Sequence, residues 1–236
     1  SFDLREALHD KRVRIIEAEI ARVNPETRHL KLAHGDFEGD IPYDYLIFAL
    51  GRRLATEQIP GFFEHAHHLL SVNGAIRFGR AVRAFEEGRA IIGQCPGARL
   101  PVPIYETAFA LSRFCQKRST RDKVKITIVS PDPPNFQFGD GEVARALRNA
   151  LDEHSIDYLP DFPIETVSAG SIKSSNGLAL NFNLLLLLPP FRGPSAVRNL
   201  GITDSEDYLR VDRSMRVLGV ENMYAVGDCV NFEGPK

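Results

Sequence analysis

Apolar residues along this chain come in two patterns: short unbroken runs and stripes at helical spacing. A helix-like Leu4-Arg5-Glu6-Ala7-Leu8 opens it. Val13 to Ile20 alternates in part, Asn24-Pro25-Glu26 turns, and His29 to Leu32 returns, which predicts a strand hairpin. His34-Gly35-Asp36 then turns again ahead of a strand beginning at Tyr45. Residues Asn73 to Phe85 repeat at helical period, with Ile76, Val82 and Phe85 near one face and Arg77, Arg80 and Arg83 elsewhere. Strand-like runs follow at Arg89–Gly93 and Lys123–Val129, and helices at Ile104–Lys117 and Glu142–His154. The last of these helices places Val143, Leu147 and Leu151 on one stripe. Tyr158, Phe162 and Ile164–Val167 read as extended, Leu178-Ala179-Leu180 closes the region, and Met223 to Val226 forms one more short strand.

Strands alternating with helices predict an α/β fold with a parallel sheet covered on both faces. The five-leucine run at 184–188, stopped by Pro189-Pro190, fits a central strand buried on both sides. With 236 residues there is enough material for one large or two ordinary domains. A formal net charge of −2 points away from nucleic acid and anionic membrane as partners. Cys95, Cys115 and Cys229 are too few and scattered for a disulfide framework or a zinc site, which predicts a reducing, cytoplasmic setting. No signal peptide is expected at the start, and no apolar run approaches the roughly 20 residues of a membrane span.

Two stretches carry chemistry. Met223-Tyr224-Ala225-Val226-Gly227-Asp228 is an apolar strand ending on glycine and a carboxylate. Glycine there lets the backbone approach a ligand, and a carboxylate at a strand's end can accept hydroxyl hydrogen bonds in the crevice of an α/β sheet. The wording resembles the closing flavin motif, A-x-G-D, of the pyridine nucleotide-disulfide oxidoreductase superfamily. A second motif of that family, a strand ending in A-T-G, resembles Tyr45-Leu46-Ile47-Phe48-Ala49-Leu50-Gly51, with Leu50 in place of Thr and Tyr43-Asp44-Tyr45 matching the lead-in. The resemblance implies FAD as cofactor, with Asp228 on its ribityl chain and Gly227, Gly51 and the neighbouring Arg52 against the flavin. It further implies a fold of one FAD/NAD(P)-binding, Rossmann-like three-layer domain (57–182) inserted in a partial FAD-binding domain (1–56 and 183–236), with the leucine run in the latter. The family's opening G-x-G-x-x-G loop has no counterpart here, so the chain reads as a central piece of a longer protein, expected to be inactive by itself.

Gly93 to Glu106 decides the nicotinamide question. Laid on G-x-G-x-x-G, the stretch keeps Gly93 but puts Cys95 and Ala98 at the other glycine positions, and Pro96, Pro101 and Pro103 have no N–H to donate. The acidic marker after the next strand is replaced by Ser130-Pro131, with Asp132 beyond. NAD(P) binding is therefore left open, and a structural loop is the favoured reading. The proline-rich loop, its Pro103-Ile104-Tyr105-Glu106 and the later Pro189-Pro190-Phe191-Arg192-Gly193-Pro194 resemble the sulfide:quinone oxidoreductase and flavocytochrome branch. That branch implies a small-molecule electron donor, sulfide among the candidates, and a quinone or other acceptor. It is also compatible with a homodimer and with peripheral membrane contact through further segments. Its loop cysteine corresponds to Leu100 here. Cys95 is a nearby thiol, though packing is the favoured role for it and for Cys115 and Cys229.

His65, His67 and His68 lack further ligands in metal spacing, so a loop or helix start is expected. Asp132, Asp140 and Glu142 fall in a Pro/Gly-rich surface loop. Two alternatives stand beside the flavin reading: an NAD(P)H:acceptor enzyme of the type II NADH dehydrogenase kind, and a non-catalytic remnant that binds a partner.

Overall fold

The computed structural model describes residues 3–99, 101–133, 141–198 and 200–232. The chain divides into two units, residues 1–53 with 192–236 and residues 54–191. The first unit opens with α1 (Leu4–Leu8), capped by Asp3, whose carboxylate accepts the Arg5 N–H. An antiparallel meander follows: β1 (Ala18–Asn24), β2 (His29–Gly35) and β3 (Gly39–Pro42). The hairpin turn forms as its residues predict, with Asn24 Oδ1 accepting the N–H groups of Glu26 and Thr27. Its first strand starts at Ala18 rather than Val13, and β3, four residues from Gly39 to Pro42, has too little alternation to be predicted. β4 (Leu46–Phe48) leads to Gly51, and β5 (Arg53–Leu54) spans the division between units.

The second unit runs through α2 (Phe62–His65), α3 (Val72–Ala84), β6 (Gly88–Gln94), α4 (Val102–Lys117), β7 (Val124–Val129), α5 (Glu142–Glu153) and β8 (Ile156–Leu159). It ends with β9 (Ile164–Ser168), β10 (Ser171–Ser174), β11 (Ala179–Asn181) and β12 (Leu184–Leu188). Four strands form a parallel sheet in the order β12-β6-β7-β8, and β9–β11 form a separate antiparallel sheet. Adjacent residues of one strand serve opposite faces. Ile92 and Leu186 join Phe78, Ile104, Leu111 and Leu151 of the helices, whereas Ile91, Leu185 and Leu187 join Phe62, Phe162, Ile164 and Ile172. All five leucines are buried, and each fully buried one contributes about 1.5–3 kcal/mol, so the run has no polar position to spare.

Three expectations need correction. The leucine run does not sit with the flavin motifs: Leu184 pairs with Ala90 and Leu188 with Gln94, which puts β12 in the second unit. In α3, Ile76 is 48% exposed while Gly74 and Phe78 face inward, and in α5, Val143 is 62% exposed while Ala144 and Leu151 are buried. Small residues at the contact let a helix pack close to its sheet, and a reading by hydrophobicity passes over them.

After β13 (Phe191–Arg192) the chain is again in the first unit, with β14 (Leu209–Val211), β15 (Met223–Ala225) and β16 (Val230–Phe232). This unit has its own core of Val23, Phe48, Val197, Ile202, Leu209, Val217, Met223, Ala225 and Cys229.

Candidate functional site

β15 lies parallel to β4, pairing Met223 with Leu46, Tyr224 with Ile47 and Ala225 with Phe48, and the Val226 N–H donates to Phe48 O at 2.9 Å. The two sequence motifs therefore leave the sheet side by side from the same end, where α/β sheets bind ligands. Gly51 (φ +66°) and Gly227 (φ +77°) both take the left-handed conformation, and a Cβ built on either meets nothing within 4 Å. Their backbones face open space that a flat ligand can approach. A tight turn over Gly227–Cys229 presents Asp228 outward, its carboxylate 60% exposed with Oδ2 3.5 Å from Arg52 Nε. Gly51, Arg52, Gly227 and Asp228 thus come together.

The reading of Cys229 as a packing residue is incomplete, because it also holds the motif in place. Its buried thiol faces Val226 O at 3.2 Å and Phe48 O at 3.6 Å, tying the turn to the neighbouring strand. Tyr45, Ile47, Leu50 and Val226, on the same strands and the turns after them, are exposed apolar residues. A carboxylate able to accept hydroxyl hydrogen bonds, two bare backbones and an apolar margin fit a cofactor with a polyhydroxylated chain and a large ring.

The Gly93–Glu106 stretch in the second unit makes a poor phosphate cradle. Gly93 lies inside β6, where a Cβ would stand 2.7 Å from Leu187 Cδ2, 2.7 Å from Val129 Cγ2 and 3.1 Å from Ile164 Cδ1. Packing alone demands a glycine there. Gly93→Ala is expected to destabilise the protein by roughly 1–3 kcal/mol in a urea melt, the usual cost of overpacking. The Cys95 N–H donates to Leu188 O and the Ile104 N–H to Pro101 O, which removes two of the donors a pyrophosphate would use. Pro101 caps α4 and Pro103 sits in its first turn, where a missing N–H costs the helix little. Cys95 is fully buried, and burial pushes its thiol far above the usual cysteine range, so it is held as a neutral packing group. Burial likewise raises the Tyr105 phenol, whose ring stacks on Tyr158 at 6.2 Å. Glu106 and Glu142 are exposed, Asp132 is half-buried, and Leu100 and Asp140 lie outside the described residues.

His65, His67 and His68 form no metal site: among the described residues no group of three or more His, Cys, Asp or Glu side chains could hold an ion. Burial, and next the charge of Arg77, hold His67 and His68 below the usual histidine pKa of 6.5, with His68 adding to the effect on His67. The unfolded chain then binds more protons near that value than the folded one. Stability contributed by the neutral rings is full above about pH 6.5 and is lost as pH falls through the lowered native values. Unfolding midpoints measured from about pH 7.5 to 5 should decline, and a His67→Gln/His68→Gln variant should decline less.

Comparison with known proteins accords with these motifs. The family model described as pyridine nucleotide-disulphide oxidoreductase matches residues 6–236. The mitochondrial sulfide:quinone oxidoreductase of Mus musculus is 24% identical over 245 residues, covering 95% of this chain and 52% of that protein. A mitochondrial external alternative NAD(P)H-ubiquinone oxidoreductase B1 of Solanum tuberosum is 24% identical over 258 residues, covering 93% and 44%. The crystal structure of the sulfide:quinone oxidoreductase from Aquifex aeolicus superposes with a TM-score of 0.82 at 21% identity, over 92% of this chain and 52% of that one. At that identity the likeness shows the fold, a Rossmann-like α/β arrangement. The chain spans about half the length of the curated relatives it matches.

Proposed function

The chain belongs to the pyridine nucleotide-disulphide oxidoreductase family, and on that premise we propose that it is part of an FAD-dependent oxidoreductase passing electrons from a reduced small-molecule donor to a quinone or another acceptor. The observation that carries this reading is the adjacency of Gly51-Arg52 and Gly227-Asp228 past the ends of two paired parallel strands. FAD, when bound, supplies the two-electron chemistry; the protein holds and tunes it. Asp228 would accept hydroxyl hydrogen bonds from the cofactor's ribityl chain. Arg52 Nε stands 3.5 Å from the Asp228 carboxylate and places a cation beside it. Gly51 and Gly227 leave room for the cofactor beside the backbone.

Sulfide is the first candidate donor, on the likeness to the sulfide:quinone oxidoreductases. NAD(P)H is the second, on the likeness to the NAD(P)H-ubiquinone enzyme. Cys95, Cys115 and Cys229 are buried free thiols, which offer sulfide no accessible oxidised sulfur to attack, and the proline-rich loop supports no nicotinamide cradle. No helix among the described residues is long and apolar enough to cross a membrane.

The test is to purify the full-length protein and mix it anaerobically with sulfide or with NADH. Flavin absorbance that bleaches with sulfide supports the sulfide reading; bleaching with NADH alone transfers the proposal to an NADH:acceptor enzyme. A colourless full-length protein that takes up no added FAD would leave the non-catalytic remnant standing.

A further inference from the structure

A cavity of about 200 Å³ lies wholly in the second unit. Leu54, Phe62, Phe63 and Ala66 form its apolar walls, and Thr56, His67, His68 and Arg77 bring polar groups to it. The local sequence builds it in a definite way. His67 acts as a one-residue fifth strand of the parallel sheet, its N–H donating to Leu185 O at 3.0 Å and its carbonyl accepting the Leu187 N–H at 2.8 Å. Its ring packs on Phe78, and its Nδ1 is buried with no hydrogen-bond partner, an uncommon state for a buried polar atom. The Leu70 N–H donates to His68 Nδ1, so the neutral ring keeps its proton on Nε2 as a donor. Gly74 makes room for that ring: a Cβ there would stand 2.8 Å from His68 Cε1. Arg77 stands on α3 as a cation with no carboxylate bridged to it among the described residues.

We propose that this cavity is a binding site for a small monocyclic aromatic carboxylate, its ring between Phe62, Phe63 and Leu54 and its carboxylate toward Arg77 and the two histidines. Three features select that class. The volume falls below the roughly 300–1,000 Å³ of ordinary ligand pockets, so one ring fits and a dinucleotide does not. Two phenylalanine rings favour an aromatic body. An unbridged arginine beside imidazole donors favours an anionic head, because charge-assisted hydrogen bonds are about twice as strong as neutral ones. The site is independent of the flavin reading, and its test needs no flavin.

The experiment is calorimetric titration of the full chain with sodium benzoate, followed by NMR of the histidine ring protons. Saturable one-to-one binding with a Kd below about 1 mM is expected, together with shifts of the His67 and His68 signals. Arg77→Gln should weaken binding by about tenfold or more, and benzyl alcohol, a neutral ring of similar size, should bind at least about tenfold more weakly than benzoate. Phe63→Ala removes a 74% exposed side chain and leaves the core intact, so it provides a second variant expected to lose affinity. The proposal is overturned if benzoate does not saturate by about 10 mM, if benzyl alcohol binds as well, or if neither variant changes the affinity.

Discussion

Asp228→Ala is expected to strip the full-length protein of most of its flavin while leaving the fold intact. A hydrogen bond to a charged group contributes about 1.5–3 kcal/mol, so losing the carboxylate should weaken FAD retention by roughly 10- to 100-fold. The side chain is 60% exposed, and its ion pair with Arg52 is 3.5 Å long. Solvent screens such a contact, so little stability depends on it. Flavin absorbance per protein after gel filtration measures the first effect, and a thermal melt of the apoprotein measures the second. Asp228→Asn keeps an acceptor oxygen and should retain more cofactor than alanine. An alanine variant as yellow as the wild type would remove Asp228 from the site.

Arg121→Met should produce the largest loss of stability among the substitutions considered, about 3 kcal/mol. The guanidinium of Arg121 donates from Nη1 to Val124 O at 2.6 Å, from Nη2 to His154 O at 2.6 Å and Ser155 O at 2.8 Å, and from Nε to Ser112 Oγ at 3.2 Å. One side chain thereby joins α4, the start of β7 and the turn after α5. Methionine keeps the bulk of the stem but takes a charge-assisted donor from three carbonyls and from the buried Ser112 hydroxyl, which keeps only its contact with His154 Nδ1 at 3.2 Å. These losses are not additive, which is why the expected total stays near 3 kcal/mol. Lysine keeps the charge without the planar fork, so Arg121→Lys should fall between the two. A shift in the urea midpoint worth under about 0.5 kcal/mol would show that water replaces the clamp.

Arg121 also marks where a sequence reading stops. An arginine between a helix and a strand looks like any solvated cation. Its value comes from three carbonyls brought together by the packing of two helices and a strand. Cys95 has the same character. In the sequence it is a thiol near the proline-rich loop; in the structure it is wholly buried and its thiol is held neutral. Gly93 looked like the remnant of a phosphate loop, and its environment shows it making room for Leu187, Val129 and Ile164.

The elements themselves were legible because their causes are local. Helical spacing marked α3 and α5, strand-like runs marked β6, β7 and β12, and turn residues marked the β1–β2 hairpin. The two glycine-ended strand motifs were legible because a glycine at a strand's end is a short-range arrangement. Which strands become neighbours was decided only by folding. β12 belongs beside β6, and β15 meets β4 after a separation of about 175 residues. Backbone hydrogen bonds are alike for every apolar strand, so a run of leucines states that it will be buried but not against what. Only the closing of a whole core selects the partner, and that selection sets Gly51 and Arg52 beside Gly227 and Asp228.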